Sequence, residues 1–208
     1  MQSPPPLLVL ASVSPRRSAL LTQIGVAHRV IPAQIDEQRN EGEPIEQCVR
    51  RLAAQKALRV SAILAAAGAL EQHQAVLGAD TTVVIDQHML EKPRDREHGL
   101  AMLARLSGRE HEVLSAVALA YGGAVQTALS CSRVRLRALG REECEAYWDS
   151  GEPHDKAGGY AIQGRGAVFV ESLQGSYSGV MGLPLFETAA LLAAAGLPAW
   201  HYRDRAGR

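Results

Sequence analysis

The sequence of 208 residues has no excess of charge of either sign, because 22 lysines and arginines balance 22 aspartates and glutamates. Without a generally basic surface, binding to a nucleic-acid polymer is not favoured. No apolar segment is long enough to span a bilayer, and the amino terminus lacks a basic region followed by a long apolar stretch. We therefore expect no membrane association and no secretory signal.

Cysteine is scarce as well. The three cysteines, Cys48, Cys131 and Cys144, are far apart and odd in number, which argues against a disulfide framework and against a zinc cluster. This usage is typical of a reducing compartment and predicts a cytoplasmic protein. The seven histidines are scattered and form no pair at metal-ligand spacing.

Two familiar catalytic motifs are missing. No glycine-rich loop ends in Lys-Ser or Lys-Thr, so a Walker-type phosphate loop is excluded. The segment from Gly175 to Gly179 resembles a nucleophile elbow, but its central residue is Tyr177 rather than serine.

Helical and strand patterns alternate along the chain and predict an α/β protein with a mixed sheet and a cleft, not two separable domains. The chain length fits one domain, residues 1–208, built of two dependent lobes, with a basic tail of uncertain order at 199–208. Strands are expected at 7–11, 27–32, 76–86, 112–121, 124–136, 160–162 and 167–171, with a hairpin turn at Gly122-Gly123 and another turn at 86–88. Helices are expected after Ser14 and at 44–67, 94–106, 140–150 and 183–195.

The most informative segment lies near the amino terminus, where an apolar run meets Ser12, Ser14 and a helix start. Ser14 suits the N-cap and Pro15 the first helical position, Arg16 and Arg17 follow, and Gly25 suits the C-terminal cap of the helix. A helix N-terminus attracts anions, and arginine donors match phosphate oxygens. The pattern predicts a phosphate site. The alternative is a capped surface helix with two solvated arginines.

A carboxylate interrupts the apolar run around residue 80. Asp80 can serve as a general base for water or as a ligand of a divalent cation, and the alternative is an exposed or ion-paired aspartate. Lys92 follows within reach of one hairpin and can bring positive charge to a phosphate. The alternative for Lys92 is a solvated lysine at a turn.

Two further segments carry candidate charges. The acidic pair Asp36-Glu37 follows the second predicted strand and can supply a metal ligand, although such a pair is often only solvated. On the long predicted helix, Arg51, Gln55 and Lys56 lie on roughly one side, because residues four apart share a face. Lys56 can reach a cleft from there, and the alternative is an exposed cation on an amphipathic helix.

Glycine-rich segments follow in the last quarter of the chain. The stretch from Asp155 to Gly164 combines charges with permissive glycines, and the amide of Gln163 can read a base edge because it both donates and accepts. The alternative is a turn-rich loop. Gly182 to Leu185 opens the last predicted helix and offers a second candidate helix N-terminus for an anion.

Together these residues resemble the Maf family of nucleoside triphosphate pyrophosphatases. The matching motifs run in family order over almost the whole chain and lie at 11–17, 51–56, 78–81, 91–93, 155–158, 162–164 and 182–185. The resemblance implies a Maf-like fold, similar to inosine triphosphate pyrophosphatase, with two lobes around a central cleft. It implies hydrolysis of a nucleoside triphosphate to the monophosphate and pyrophosphate, a divalent cation (Mg²⁺ or Mn²⁺) and a homodimer.

The resemblance also implies roles for individual residues. Asp80 would orient or deprotonate water, and Glu37 with Asp80 would hold the metal. The phosphates would be bound by Ser12, Ser14, Arg17, Lys56 and Lys92. The base would be read by Arg16, Thr81 and Gln163, a trio that looks like the branch acting on dTTP and UTP.

Two alternatives remain open at this point. The branch acting on 7-methyl-GTP has Trp, Gln and Glu where this chain has Arg16, Thr81 and Gln163, and a pyrophosphatase for that nucleotide or for an inosine nucleotide is one alternative. The other is a nucleotide-binding regulator of cell division without significant turnover. A base such as Asp80 argues against a pure binder.

Overall fold

The computed structural model describes residues 8–68, 74–197 and 199. Its strands are β1 (Leu8–Leu10), β2 (His28–Val30), β3 (Val76–Ile85), β4 (His88–Leu90), β5 (Glu110–Tyr121), β6 (Ala124–Leu136) and β7 (Val170–Gln174). Its helices are α1 (Pro15–Gln23), α2 (Ile45–Ala66), α3 (Arg96–Leu106), α4 (Arg141–Asp149), α5 (Tyr177–Met181) and α6 (Leu185–Ala194). Short 3₁₀ turns cover Glu152–Asp155, Ala157–Gly159 and Arg165–Phe169.

The strands form one mixed sheet, as predicted. Its order is β2-β1-β3-β5-β6-β7, and β4 pairs with β3. Strand β1 is parallel to both β2 and β3, whereas β4 and β7 pair antiparallel with β3 and β6. All three residues of β1 are buried, which is typical of a strand with parallel neighbours on both sides.

Tight turns predicted from the sequence connect two strand pairs. Gly122 and Gly123, between β5 and β6, have φ values of 58° and 79°. Asp86 and Gln87, between β3 and β4, have φ values of 51° and 60°. Positive φ at both central residues is the requirement of the two-residue hairpin turn whose twist matches the strands.

Helix ends follow the expected local chemistry. Gly25 has a φ of 75° just after the last residue of α1, which confirms its capping role. Helix α3 begins later than expected, at Arg96, because Asp95 is the N-cap and accepts the His98 N–H at 2.8 Å. Helix α6 likewise begins after Pro184. Among the described residues, no helix is both long and apolar enough to cross a membrane.

The chain divides into two compact units. Unit 1 comprises 1–80, 116–129 and 182–208, of which 1–7, 69–73, 198 and 200–208 are outside the described residues. Unit 2 comprises 81–115 and 130–181. The mutual dependence of two lobes stays a prediction, and almost all of the basic tail at 199–208 lies outside the described residues.

Each unit has a buried apolar core. In unit 1 the buried apolar residues include Val49 and Leu52 of α2, Leu8 and Leu10 of β1 and Leu77 of β3. The core of unit 2 consists of Val83, Ile85, Leu90, Met102, Leu103, Leu106, Val113, Val134, Leu136, Cys144, Tyr147, Tyr160, Ile162 and Phe169.

The strand predicted at 160–162 is wrong. Tyr160 and Ile162 are buried, but the N–H of Ala161 bonds to the Tyr147 hydroxyl at 3.0 Å instead of to a strand. Burial in this segment comes from side-chain packing, so three consecutive apolar residues are buried without a ladder. The strand predicted at 167–171 begins as a 3₁₀ turn and becomes β7 only at Val170. Helix α5 was not predicted, because five residues are too few to show helical periodicity.

Candidate active site

The carboxyl end of β1 begins the site. Leu10 is opposite Leu77 of the parallel strand β3, and Ala11 donates its N–H to the Leu77 carbonyl at 2.8 Å. Parallel strands run in the same direction, so Ser12 and Asp80, which follow these positions, lie toward the same edge of unit 1. The two parts of the sequence that carry the predicted phosphate site and the predicted base therefore approach each other.

The loop between β1 and α1 is organised by Ser12. Ser14 occupies the N-cap and Pro15 the first helical position, as predicted, but the side chain of Ser14 makes no capping hydrogen bond. Ser12 Oγ instead accepts from the Ser14 N–H and from Arg17 Nη1, both at 3.2 Å. A serine hydroxyl that accepts the N–H two residues ahead forms a local turn. This turn brings Ser12 and Arg17 together at the start of α1.

Arg17 is fixed at both sides of its guanidinium. Its Nε donates to the Gly182 carbonyl at 2.8 Å, so α1 is joined to the segment that precedes α6. Burial lowers the pKa of the Arg17 guanidinium, Asp80 raises it, Arg16 lowers it and Glu37 raises it. Arginine remains protonated despite such shifts. Arg17 is thus a fixed positive charge that interacts with Asp80.

Asp80 and Lys56 form a buried ion pair. Lys56 Nζ lies 2.8 Å from Asp80 Oδ1, and the two residues are only 7% and 8% exposed. Buried charges require a partner of opposite charge, and these two supply it for each other. The sequence alternatives of an exposed aspartate and a solvated helix lysine are therefore wrong, whereas an ion-paired aspartate is correct.

A glycine allows α2 to approach β3 closely enough for this contact. A Cβ atom at Gly78 would overlap the Ala53 carbonyl oxygen and lie 2.7 Å from the Ala57 backbone nitrogen. Only glycine fits where a helix backbone lies directly on a strand. Because Gly78 is two residues before Asp80 and Ala57 is adjacent to Lys56, the close approach sets the position of the ion pair.

Glu37 is the member of the acidic pair that reaches this cluster. Its Oε1 lies 2.8 Å from Lys56 Nζ, and its side chain is 56% exposed. Asp36 instead accepts the N–H of Gln38 at 3.0 Å in a local turn. The structure therefore separates two neighbouring carboxylates that the sequence could not distinguish.

The loop that follows Glu37 is held by an arginine of α2. Arg51 donates to both carboxylate oxygens of Glu43 at 2.7 Å and to the Gln38 carbonyl at 3.0 Å. This two-point hydrogen bond from Arg51 lowers the pKa of Glu43 to about 2. Arg51 thus has a structural role beside Lys56, and its pairing with Glu43 persists at any physiological pH.

The two carboxylates of the cluster suit a divalent cation bound together with substrate. Glu37 Oε1 and Asp80 Oδ1 both lie 2.8 Å from the same Lys56 Nζ, so they converge on one region. Mg²⁺ is commonly bound by one or two carboxylates plus substrate phosphates. The described part of the chain contains no group of three or more His, Cys, Asp or Glu side chains that could hold a metal. Any metal at these two carboxylates would take its other ligands from phosphate or water.

Thr81 begins unit 2 and has a buried hydroxyl partner there. Thr81 Oγ1 lies 2.9 Å from Ser115 Oγ, and Ser115 Oγ donates to the Gly179 carbonyl at 2.6 Å. Ser115 is 1% exposed in the middle of β5, and Gly179 is buried in α5. Ser115 and Gly179 were not predicted from the sequence, because a serine in an apolar strand has no distinguishing spacing.

Lys92 and Gln163 are the other predicted site residues of unit 2. Lys92 is exposed in the segment that follows β4, and Gln163 is exposed between the 3₁₀ turns at Ala157–Gly159 and Arg165–Phe169. Glu152 stabilises the segment that follows Gln163, because its carboxylate accepts hydrogen bonds from the N–H groups of Arg165 and Gly166 at 2.9 and 3.0 Å. Glu152 Oε1 also accepts from the Tyr147 hydroxyl at 2.7 Å.

Comparison with known proteins identifies the same family as the sequence motifs. The family model described as "Maf-like protein" matches residues 7–195. This chain belongs to the Maf family. The Maf-like chain is 53% identical over 197 residues to the dTTP/UTP pyrophosphatase of Methylococcus capsulatus, covering 95% of each chain. It is 54% identical over 187 residues to the dTTP/UTP pyrophosphatase of Alkalilimnicola ehrlichii, covering 90% of this chain and 92% of that protein.

Among solved structures, the Staphylococcus aureus Ham1 protein resembles the Maf-like chain at 14% identity with a TM-score of 0.34, over 62% of this chain and 71% of the other. The family predicted from the ordered motifs is thus confirmed by the family model and by relatives of more than 50% identity. The roles of the individual site residues stay predictions, for which the geometry above supplies contacts.

Proposed function

We propose that this Maf-like protein hydrolyses dTTP and UTP to the nucleoside monophosphate and pyrophosphate. The observation that carries this proposal is the buried carboxylate of Asp80, 2.8 Å from Lys56 Nζ and interacting with the charge of Arg17. Phosphoryl chemistry depends mainly on positioning and electrostatics, for which a base among fixed cations is suited. The names of relatives at 53% and 54% identity support the choice of dTTP and UTP.

In the proposed reaction Asp80 accepts a proton from water, and the water oxygen attacks the α-phosphorus. A bond forms between that oxygen and the α-phosphorus. The bond from the α-phosphorus to the oxygen that bridges to the β-phosphorus breaks, and its electron pair leaves with pyrophosphate. The contact of 2.8 Å with Lys56 Nζ restrains the position of the Asp80 carboxylate.

The phosphates are bound by the cations of the site in this proposal. Arg17, Lys56 and Lys92 stabilise the charge of the leaving pyrophosphate, and the hydroxyls of Ser12 and Ser14 assist. Ser12 Oγ already accepts two hydrogen bonds, from Ser14 and Arg17, so its own O–H is available to donate to a phosphate oxygen. Mg²⁺ or Mn²⁺, held by Glu37 and Asp80 with phosphate oxygens, would neutralise phosphate charge.

Base choice is assigned in this proposal to Arg16, Thr81 and Gln163. A neutral amide such as Gln163 both donates and accepts, which suits the edge of thymine or uracil. An acidic residue there would instead suit a cationic methylated guanine.

We also propose that the protein works as a homodimer in the cytoplasm. The family resemblance supports the dimer, and the scarce, widely spaced cysteines support a reducing compartment. The balanced charge remains the reason to expect no nucleic-acid polymer as partner. Light scattering after gel filtration tests the dimer, which should elute with twice the mass of one chain.

Pyrophosphate release from a panel of triphosphates tests the proposed reaction. The panel contains dTTP, UTP, CTP, 7-methyl-GTP and ITP, each with Mg²⁺ or Mn²⁺, and dTTP and UTP should exceed the rest. Asp80→Asn should lose roughly 10²–10⁴-fold in kcat, the range of proton-transfer catalysis. Asp36→Asn is the matched control and should retain the wild-type rate, since Asp36 accepts the Gln38 N–H in a local turn.

Three results would contradict the proposal. Near-full turnover by folded Asp80→Asn would show that Asp80 is not the general base. Preference for 7-methyl-GTP or ITP would agree with the proposed reaction but contradict the choice of thymine and uracil as the nucleobases. Tight nucleotide binding without any pyrophosphate release would favour a nucleotide-binding regulator.

A further inference from the structure

We propose that the Lys56 ammonium group takes the place of a divalent cation between Glu37 and Asp80 as long as no nucleotide is bound, so that the free protein binds metal only weakly. This inference rests on the metal site of the proposed function and assigns Lys56 a second role there, besides binding phosphate. All the residues that carry it belong to unit 1.

The Lys56 ammonium group lies between the two carboxylates. Its Nζ is 2.8 Å from Glu37 Oε1 and 2.8 Å from Asp80 Oδ1, so the two oxygens lie within twice that distance of each other. Mg²⁺ is bound at roughly 2.0–2.1 Å from its oxygen ligands. A metal held by both oxygens would therefore have to displace Nζ or lie directly beside its positive charge.

Burial makes this competition effective. The side chains of Lys56 and Asp80 are only 8% and 11% exposed, so solvent weakens little either the attraction of the ammonium for Asp80 or its repulsion of a second cation. The backbone that carries Lys56 is fixed as well, because the neighbouring residue Ala57 lies against Gly78 of β3. The ammonium group is thus held at the carboxylates by the packing of α2.

The charges of this cluster are already balanced without a metal. Lys56 and Arg17 supply two positive charges against the two carboxylates. Asp80 and Glu37 both raise the pKa of Arg17, so the guanidinium belongs to the same electrostatic cluster, and Arg16, which lowers that pKa, adds a further positive charge. A divalent cation therefore meets no net negative charge at the carboxylates while Lys56 is in place.

A triphosphate changes this balance. It brings several negative charges, and its oxygens accept hydrogen bonds from an ammonium group. The Lys56 ammonium can then shift toward phosphate, as the proposed function requires, and leave lone pairs of Glu37 and Asp80 to the metal that accompanies the nucleotide. The same lysine thus disfavours metal in the free protein and binds phosphate in the complex.

Binding of Mn²⁺ alone, without nucleotide, tests the inference. Electron paramagnetic resonance of unbound Mn²⁺ gives the Kd, a readout that does not depend on hydrolysis. The Kd of Lys56→Met should be on the order of tenfold lower than that of wild type, because a buried positive charge beside the metal is lost. Mn²⁺ should also raise the Tm of Lys56→Met more than that of wild type.

Two further variants show that the gain arises at this site. Arg59→Met removes one positive charge from an exposed position of α2 and should leave the Kd close to that of wild type, because solvent and salt screen an exposed charge. Adding Asp80→Asn to Lys56→Met removes one carboxylate ligand and should abolish the gain. If Lys56→Met does not fold at the assay temperature, Lys56→Gln replaces it, since it also removes the positive charge and should likewise lower the Kd.

Each outcome supports or overturns the inference. An unchanged Kd in the folded Lys56 variant, an equal gain in Arg59→Met, or a gain that persists without the Asp80 carboxylate would overturn it. Failure of the wild-type protein to release pyrophosphate from any nucleotide would overturn the proposed function alone, because Mn²⁺ binding is measured without turnover. Tighter Mn²⁺ binding confined to the Lys56 variants would support the inference even then.

Discussion

Lys56 Nζ lies 2.8 Å from Asp80 Oδ1, although 24 positions separate these residues in the chain and each is more than nine-tenths buried. Lys56 also contacts Glu37 at 2.8 Å, so one ammonium holds two carboxylates. The pair joins α2 to β3 and sets the one strong candidate for a base against a fixed positive charge. The ion pair therefore leads to separate predictions for the stability of the protein and for its catalytic activity.

Loss of the lysine should cost more stability than loss of the aspartate charge. Lys56→Met removes the hydrogen-bonded partner of the buried Asp80 carboxylate and leaves it the charge of Arg17, and it should lower the free energy of unfolding by about 3 kcal/mol. Asp80→Asn should cost less, because Lys56 keeps Glu37 as a partner. Urea unfolding of both variants and of the double variant measures this difference. Equal costs for the two single variants would contradict the asymmetry.

Because α2 lies so close to β3, a single methyl group added at Gly78 should lower both stability and activity. Gly78→Ala must displace the helix backbone at Ala53 and Ala57, which should cost roughly 1–3 kcal/mol and lower kcat by moving Lys56. Gly140→Ala is the control, since a Cβ there meets nothing within 4 Å and its φ is −77°. Thermal unfolding and pyrophosphate release should therefore change in the first variant and hardly at all in the second.

His111 predicts how stability depends on pH. Its Nε2 lies 2.7 Å from the Tyr160 hydroxyl, its Nδ1 has no partner within the described residues, and burial lowers its pKa from 6.5 to about 4. Between these two pH values the unfolded chain binds a proton that folded His111 does not. The free energy of unfolding should therefore fall as pH falls from 6.5 to 4, by at most about 1.4 kcal/mol per pH unit from this group.

The double variant His111→Phe/Tyr160→Phe tests the source of that dependence. It removes the titrating ring and its partner together, so no buried hydroxyl is left unpaired. Urea unfolding at several pH values should give a shallower slope than wild type in this window. An unchanged slope would show that other groups cause the pH dependence.

Glu152 should slow hydrogen exchange at the backbone amides that follow Gln163. Glu152→Gln keeps the size of the side chain but replaces one carboxylate oxygen by an NH₂ group, which then faces the N–H donor of either Arg165 or Gly166, at a cost of about 1–3 kcal/mol. Hydrogen exchange should accelerate at least at the amide that loses its acceptor. Glu171→Gln, which alters an exposed ion pair with Arg135, should leave the exchange of both amides unchanged. Slow exchange in Glu152→Gln would contradict this role of the carboxylate.

Local chemistry was predictable from the sequence wherever it depends on neighbouring residues. Ser14 and Pro15 correctly mark the start of α1, Gly25 marks its end, and Gly122-Gly123 marks the turn between β5 and β6. In each case the signal lies within a few positions of the structure that it specifies.

Contacts between distant segments were not predictable in this way. Asp80 and Lys56 were each predicted as site residues from the sequence, but their contact depends on the packing of α2 against β3 at Gly78. Ser14 occupies the predicted N-cap position, but its side chain makes no capping hydrogen bond, whereas Ser12 Oγ accepts the N–H of Ser14, a contact that the sequence did not indicate. The expected strand at 160–162 failed because its apolar residues face a packed core and not a neighbouring strand.

Hydrolysis of UTP in water enriched in ¹⁸O tests the central claim most directly. The claim is that water activated beside Asp80 attacks the α-phosphorus, so mass spectrometry should find one ¹⁸O atom in UMP and none in the released pyrophosphate. Label in pyrophosphate instead of UMP would place the attack on the β-phosphorus and contradict the mechanism. Release of inorganic phosphate with UDP would contradict the reaction itself.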